Sequence, residues 1–191
     1  MLRDGAMQVW RLTRLFLGAL LIVFAQPAFA GDAEDKAALD GLFARLRVAP
    51  DATAAQEIGA QIWAVWTRPS DPVLARRLNE ALVTRSMGDA GGAILLLNKL
   101  VADYPDYAEA WNQRATMYYL LGDFERSIAD CAKALELEPR HFGALSGRAL
   151  MYLQLGQRDR ALRDMAAAVA IHPFLSERQL FPELGEPMTQ I

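Results

Sequence analysis

Four side chains of this 191-residue chain are the first candidates for catalysis or metal binding: Cys131, His141, Ser146 and His172. The two histidines lie thirty-one residues apart, each close to a proline, Pro139 or Pro173. Two imidazoles on neighbouring turns can begin a transition-metal site, but such sites want three or four ligands, and no third stands out. Ser146-Gly147 near His141 suggests a hydrolase nucleophile. That chemistry needs a sharp strand-to-helix elbow, and Ser146 falls inside a helical pattern. Cys131 is the only cysteine, which rules out an intrachain disulfide. A reactive thiol needs exposure and a stabilised thiolate, whereas Cys131 lies on an apolar helical stripe and reads as inert packing. H-E-x-x-H, a P-loop, G-x-G-x-x-G and paired cysteines are all missing from the sequence. The expectation is therefore no enzyme, no catalytic residue, no metal and no cofactor.

The elements around these residues repeat. Gly88, Gly122 and Gly156 are spaced by 34 and 34, as are Pro105, Pro139 and Pro173. The apolar residues follow the same period in the windows 74–107, 108–141 and 142–175. In the middle window Trp111, Ala115, Tyr118 and Tyr119 share one helical face. Gly122 can take the left-handed turn that ends a helix, and Asp123 can cap the next. Ile128, Cys131, Ala132 and Leu135 form the second stripe, which Pro139 stops. The third window repeats this with Leu145, Ala149 and Tyr152, then Ala161, Leu162, Met165 and Val169. The first is looser, with Leu78, Ala81 and Leu82, then Ala93, Ile94, Leu97 and Leu100, and Asp71-Pro72 makes a good helix start. Small residues recur at Ala81, Ala115 and Ala149, and at Ala93, Ser127 and Ala161, where two paired helices must approach closely. A 34-residue helix pair cannot bury its own face, but about three stacked copies can, and this chain has three.

These positions resemble the tetratricopeptide repeat, the TPR family. Trp111, Ala115, Tyr118, Gly122, Ala134 and Pro139 match its pattern in the middle copy. Leu145, Ala149, Tyr152, Gly156, Ala161, Ala168 and Pro173 match it in the third, and Ala81, Gly88, Ala93 and Pro105 in the first. Arg114 replaces the family's Leu, Cys131 its aromatic residue, Ser127 its small Ala, and Thr84 stands where a Tyr is usual. The resemblance implies an all-α, right-handed superhelix of antiparallel helix pairs, with first helices lining a concave groove. The groove positions would be Leu78, Leu82 and Arg85, then Glu109, Asn112, Thr116 and Tyr119, then Ser146, Leu150 and Gln154. It implies a protein or peptide partner. Leu78, Leu82 and Gly143 stand where one subfamily carries the Lys and Asn of a carboxylate clamp, so that mode is not expected.

The flanks complete the expected domain order. Residues 1–30 read as a signal peptide: Arg3, Arg11 and Arg14, an apolar run over residues 15–25, then Ala28-Phe29-Ala30. The run is too short to span a bilayer, which takes roughly 20 residues, and Met7 offers an alternative start. Cleavage implies a periplasmic or secreted protein without a stable membrane span. Removing residues 1–30, with three Arg and one Asp, moves the net charge from −3 to −5. An acidic balance argues against a nucleic-acid partner. Residues 31–70 read as a divergent helical hairpin or N-terminal cap, with helices starting at Asp32 and Asp51. Setting the repeat register back by 34 puts Gly59 at the family's small position and Trp63 at its aromatic one. Residues 176–191 form an apolar tail in which Ser176 and Gln179 could make a capping box. It is either a lid on the last repeat or a docking element. The function expected is a protein-interaction scaffold or adaptor of the cell envelope. The alternative is a structural subunit of an envelope assembly, joined through outer helix faces and the tail. Self-association is left open.

Overall fold

The computed structural model describes residues 30–187. The expected signal peptide lies outside the described residues. Eight helices follow in order: α1 (Ala30–Arg47), α2 (Ala52–Thr67), α3 (Pro72–Ser86), α4 (Ala90–Asp103), α5 (Ala108–Leu120), α6 (Phe124–Leu137), α7 (Phe142–Gln154) and α8 (Arg158–Ile171). Two 3-10 turns, Ser176–Leu180 and Pro182–Leu184, follow α8. Among the described residues there is no strand, and no helix is long and apolar enough to cross a membrane.

The 34-residue period becomes three antiparallel pairs, α3–α4, α5–α6 and α7–α8. Gly88, Gly122 and Gly156 each adopt positive φ, at 83°, 74° and 71°. An L side chain takes that conformation only with strain. Asp89 and Asp123 then cap α4 and α6, accepting from the N–H of Gly92 and Arg126. Within each pair the small residues meet. Ala81 faces the Ala93 position, Ala149 faces Ala161, and all four are at most 1% exposed. In the middle pair Ser127 uses its hydroxyl, donating to the Ala115 carbonyl at 2.6 Å. Arg114 and Arg148, which displace the family's Leu, make bidentate pairs with Asp130 and Asp164 on the companion helix, at 2.6–2.9 Å. The first pair carries Glu80 and Leu96 at those places and lacks the bridge.

Successive pairs bury one shared face. Ala110 and Met117 of α5 pack with Leu97, Leu100 and Val101 of α4. Ala144 and Met151 of α7 pack with Cys131 and Ala134 of α6. The equivalent residues of α3, Arg76 and Val83, are exposed, so nothing covers this face of the first pair.

The α1–α2 hairpin does not extend the stack, which corrects the register drawn back from the repeats. Its core of Leu39, Phe43, Leu46, Ile58, Ile62 and Trp66 closes instead on Phe142, with Ile171, Phe174 and Leu175 around it. The hairpin therefore lies across the inter-repeat turns and reaches the last pair. Arg140 ties it down, donating to Asp40 at 2.6 Å with its guanidinium 4.4 Å from the Phe43 ring centre. Gly59 is small because His172 lies against it, not because its own partner helix does. Asp51 caps α2 as expected, but α1 already contains Asp32, which therefore does not begin it.

The tail is folded down as a lid. Phe181 is fully buried against Leu145, Met165 and Ala168, with the Arg158–Glu183 pair across it. Arg178 gathers the carbonyls of Pro173, Leu184 and Gly185. The capping box does not form. Ser176 bonds Glu177, and the 3-10 turn has no side-chain cap.

Candidate functional site

The family resemblance places α3, α5 and α7 on the concave face, and a buried polar network joins these three helices. Glu109, at the start of α5, is 1% exposed. Its carboxylate accepts from Asn112 at 3.1 Å, from the Gln113 amide, and from His141 Nε2 at 2.9 Å. His141 begins α7, and its Nδ1 accepts the Ala144 N–H at 3.2 Å. That cap fixes the tautomer: Nε2 carries the proton and donates to Glu109. Arg85 of α3 extends the chain by donating to Gln113 at 2.6 Å. A buried carboxylate is tolerable only with this many donors. One network thus locks three first helices together.

This corrects part of the expected groove. Leu78 is fully buried between α3 and α4. Glu109 is buried because Asn112, Gln113 and His141 enclose its carboxylate, with Trp66 stacked on His141. Neither can touch a partner in this arrangement. Ser146 and Asn112 are each 5% exposed, Ser146 donating to the Gly143 carbonyl and Asn112 to Glu109, so both side chains are already engaged. Leu82 stays half-buried against the first pair, while Arg85 is exposed at the far end of the network.

The remaining residues meet around one small cavity of about 130 Å³ between α5 and α7. Asn112, Thr116 and Tyr119 line it from α5, Leu150 and Met151 from α7, and Ser127 and Cys131 from α6. Two glycines make the room. A Cβ on Gly147 would meet nothing within 4 Å, so that side is open. A Cβ on Gly143 would lie 2.7 Å from the Trp63 ring, so α2 fills that end. Gln154 donates to the Tyr119 hydroxyl at 3.0 Å and braces the rim. The site is polar at its edge and apolar at its floor, as recognition clefts are.

The reactive residue types are otherwise employed. Cys131 is 2% exposed, and burial pushes its thiol up to about 12, far from nucleophilic range. His141 is held by Glu109 and the α7 cap. His172 lies beneath Gly59 on the other side of Phe142, its ring edge-on to that phenyl at 5.2 Å. Ser146 has no general base bonded to it. Sequence reasoning missed the Glu109–His141 pair and the Arg–Asp bridges. The bridges were legible, since Asp130 follows Arg114 at the same interval as Asp164 follows Arg148.

Glycine turns, small-residue pairs and a stacked concave face define a helical repeat scaffold. The tetratricopeptide repeat pattern matches residues 108–141. A TPR repeat-containing protein of Rhizobium etli is 30% identical over 154 residues, spanning 74% of this chain and 76% of the relative. This chain belongs to the tetratricopeptide repeat family. Among solved structures, a tetratricopeptide repeat protein of Parabacteroides merdae is similar with a TM-score of 0.52 at 20% identity, over 80% of this chain and 59% of that one. MamA gives 0.48 at 18% identity, over 73% and 79%. The Parabacteroides structure shares the all-α solenoid fold. Such repeats typically form non-catalytic scaffolds for protein–protein interaction.

Proposed function

We propose that this chain is an envelope adaptor that holds a segment of a partner protein in its concave groove. The cavity between α5 and α7 carries the reading. It is the place on the concave face where Asn112, Thr116, Tyr119, Leu150 and Gln154 come together around open volume. The Glu109 and His141 network fixes the helices on either side, so the groove is preformed and the partner segment supplies most of the ordering entropy. The envelope assignment is supported by the signal-like pattern of residues 1–30. The buried Phe181 removes the main apolar contact that an assembly through the tail would use. The test is affinity capture from a native envelope fraction with the wild-type chain beside a Thr116→Ala, Tyr119→Ala variant of equal helicity. A partner held by the first and lost by the second supports the groove. Equal retention by both overturns it.

A further inference from the structure

Both histidines of the chain lie at the contact between α2 and the stack. They are not equivalent. Trp66 stacks flat on His141, with ring centres 4.0 Å apart at 11°, and both imidazole nitrogens are engaged. His172 is 7% exposed, and its Nδ1 has no hydrogen-bond partner. Its Nε2 would lie 3.1 Å from a Cβ at Gly59. A buried polar atom without a partner calls for an explanation. The surroundings offer little to hold a charge. From α2 it faces Gln56, Gly59 and Trp63, and from α7 Phe142. Glu177, on the following 3-10 turn, is the one charged neighbour.

We propose that the α1–α2 hairpin is a clasp across one end of the concave groove, shut while His172 is neutral and released when it is protonated. Protonation puts a second N–H and a positive charge into an apolar contact, where the first nitrogen already lacks a partner. Lifting α2 lets water reach the ring. The same movement uncovers Trp63, Trp66 and Gly143. Gly143 both lines the cavity and lies under the Trp63 ring, so release lengthens the open groove at that end. Control of partner access rests on the groove reading above; the movement itself does not.

The direction follows from the environment. Desolvation is the dominant influence on His172 and lowers its pKa from 6.5, with a contact to its own backbone and then the Glu177 charge opposing it. A group with a depressed pKa in the docked state favours docking fully above its free value. That contribution is lost as pH falls from about 6.5 through the docked value, the docked-to-released ratio changing by at most ~tenfold per pH unit.

Hydrogen exchange of the chain, corrected for intrinsic rates, tests this at pH 7.5 and 5.0 without any partner. The expected result is a loss of protection at pH 5.0 confined to α1 and α2, with α5–α8 unchanged. His172→Gln should abolish that pH response. Gly59→Leu strengthens α2 as a helix but collides with His172, so it should release the hairpin already at pH 7.5. An unchanged hairpin in the wild type at pH 5.0 overturns the clasp. So does a pH response that survives His172→Gln, or a loss spread evenly over all eight helices. None of these outcomes touches the groove reading, which capture by the Thr116 and Tyr119 variant decides separately.

Discussion

Trp66→Ala probes the placement of the hairpin directly. Trp66 is 6% exposed. Its ring stacks on His141 and lies 5.2 Å from Trp63, 5.3 Å from Phe142 and 5.9 Å from Phe43, centre to centre. The Tyr107 hydroxyl also donates to its carbonyl. Truncating a buried Trp to Ala costs about 3–5 kcal/mol, transfer and cavity terms together. Few local contacts tie α2 to α3, while the three repeat pairs carry their own cores. The loss should therefore fall on the hairpin: α1 and α2 exchange freely, while α5–α8 keep most of their protection, with any loss confined to the start of α7 where His141 and Phe142 touch the ring. The assay is native-state hydrogen exchange with urea unfolding followed by circular dichroism. The expected curve shows an early loss of the hairpin followed by the stack. A cost below about 1 kcal/mol would mean Trp66 is not a core residue. An equal loss in α5–α8 would mean hairpin and stack form one cooperative unit. Either result refutes the reasoning.

Five further outcomes follow from the packing. Ser127→Ala should cost less than about 1 kcal/mol in thermal or urea unfolding, as it removes one neutral hydrogen bond. Ser127→Leu should cost about 1–3 kcal/mol, since it overpacks the close approach of α5 and α6. A double-mutant cycle on Arg148 and Asp164, a largely buried bidentate pair, should give a coupling of about 1–2 kcal/mol, above that of exposed pairs. Phe181→Ala should destabilise α7–α8 by about 3–5 kcal/mol in native-state exchange, because the tail closes that end of the stack. Cys131 should resist thiol reagents at pH 8 until the chain unfolds, as burial holds it at about 12. Labelling at the rate of a free thiol would contradict this.

The repeats were legible because their signals are local and periodic. Gly122 and Asp123 stand where a turn and a cap are required, and Ala115 and Ser127 where two helices touch. The hairpin was not legible, because its contacts join residues far apart in sequence. Ser70 bonds Asp35, 35 residues away, and Arg140 bonds Asp40, 100 residues away. One clue was present. Ala110 and Ala144 are small so that a preceding helix can cover them, but their counterpart in the first copy is Arg76, with Glu80 one turn on. A long charged residue at that place marks the end of a stack. Drawing the register back to Gly59 and Trp63 passed over it. The groove was half legible for a related reason. Repeat position says which way a side chain points, but not whether something already lies on it. Thr116, Tyr119 and Leu150 stay open to the cavity, whereas Glu109 points the same way and is enclosed by Asn112, Gln113 and His141.

The central claim is that a partner segment occupies the concave cavity. A photo-crosslinking side chain introduced at Thr116, inside the cavity, and separately at Ala129, exposed on α6, tests it in the native envelope fraction. The account predicts a discrete protein adduct from Thr116 that disappears with Tyr119→Ala, and none from Ala129. The same adduct from both positions, or an adduct from Ala129 alone, would contradict it.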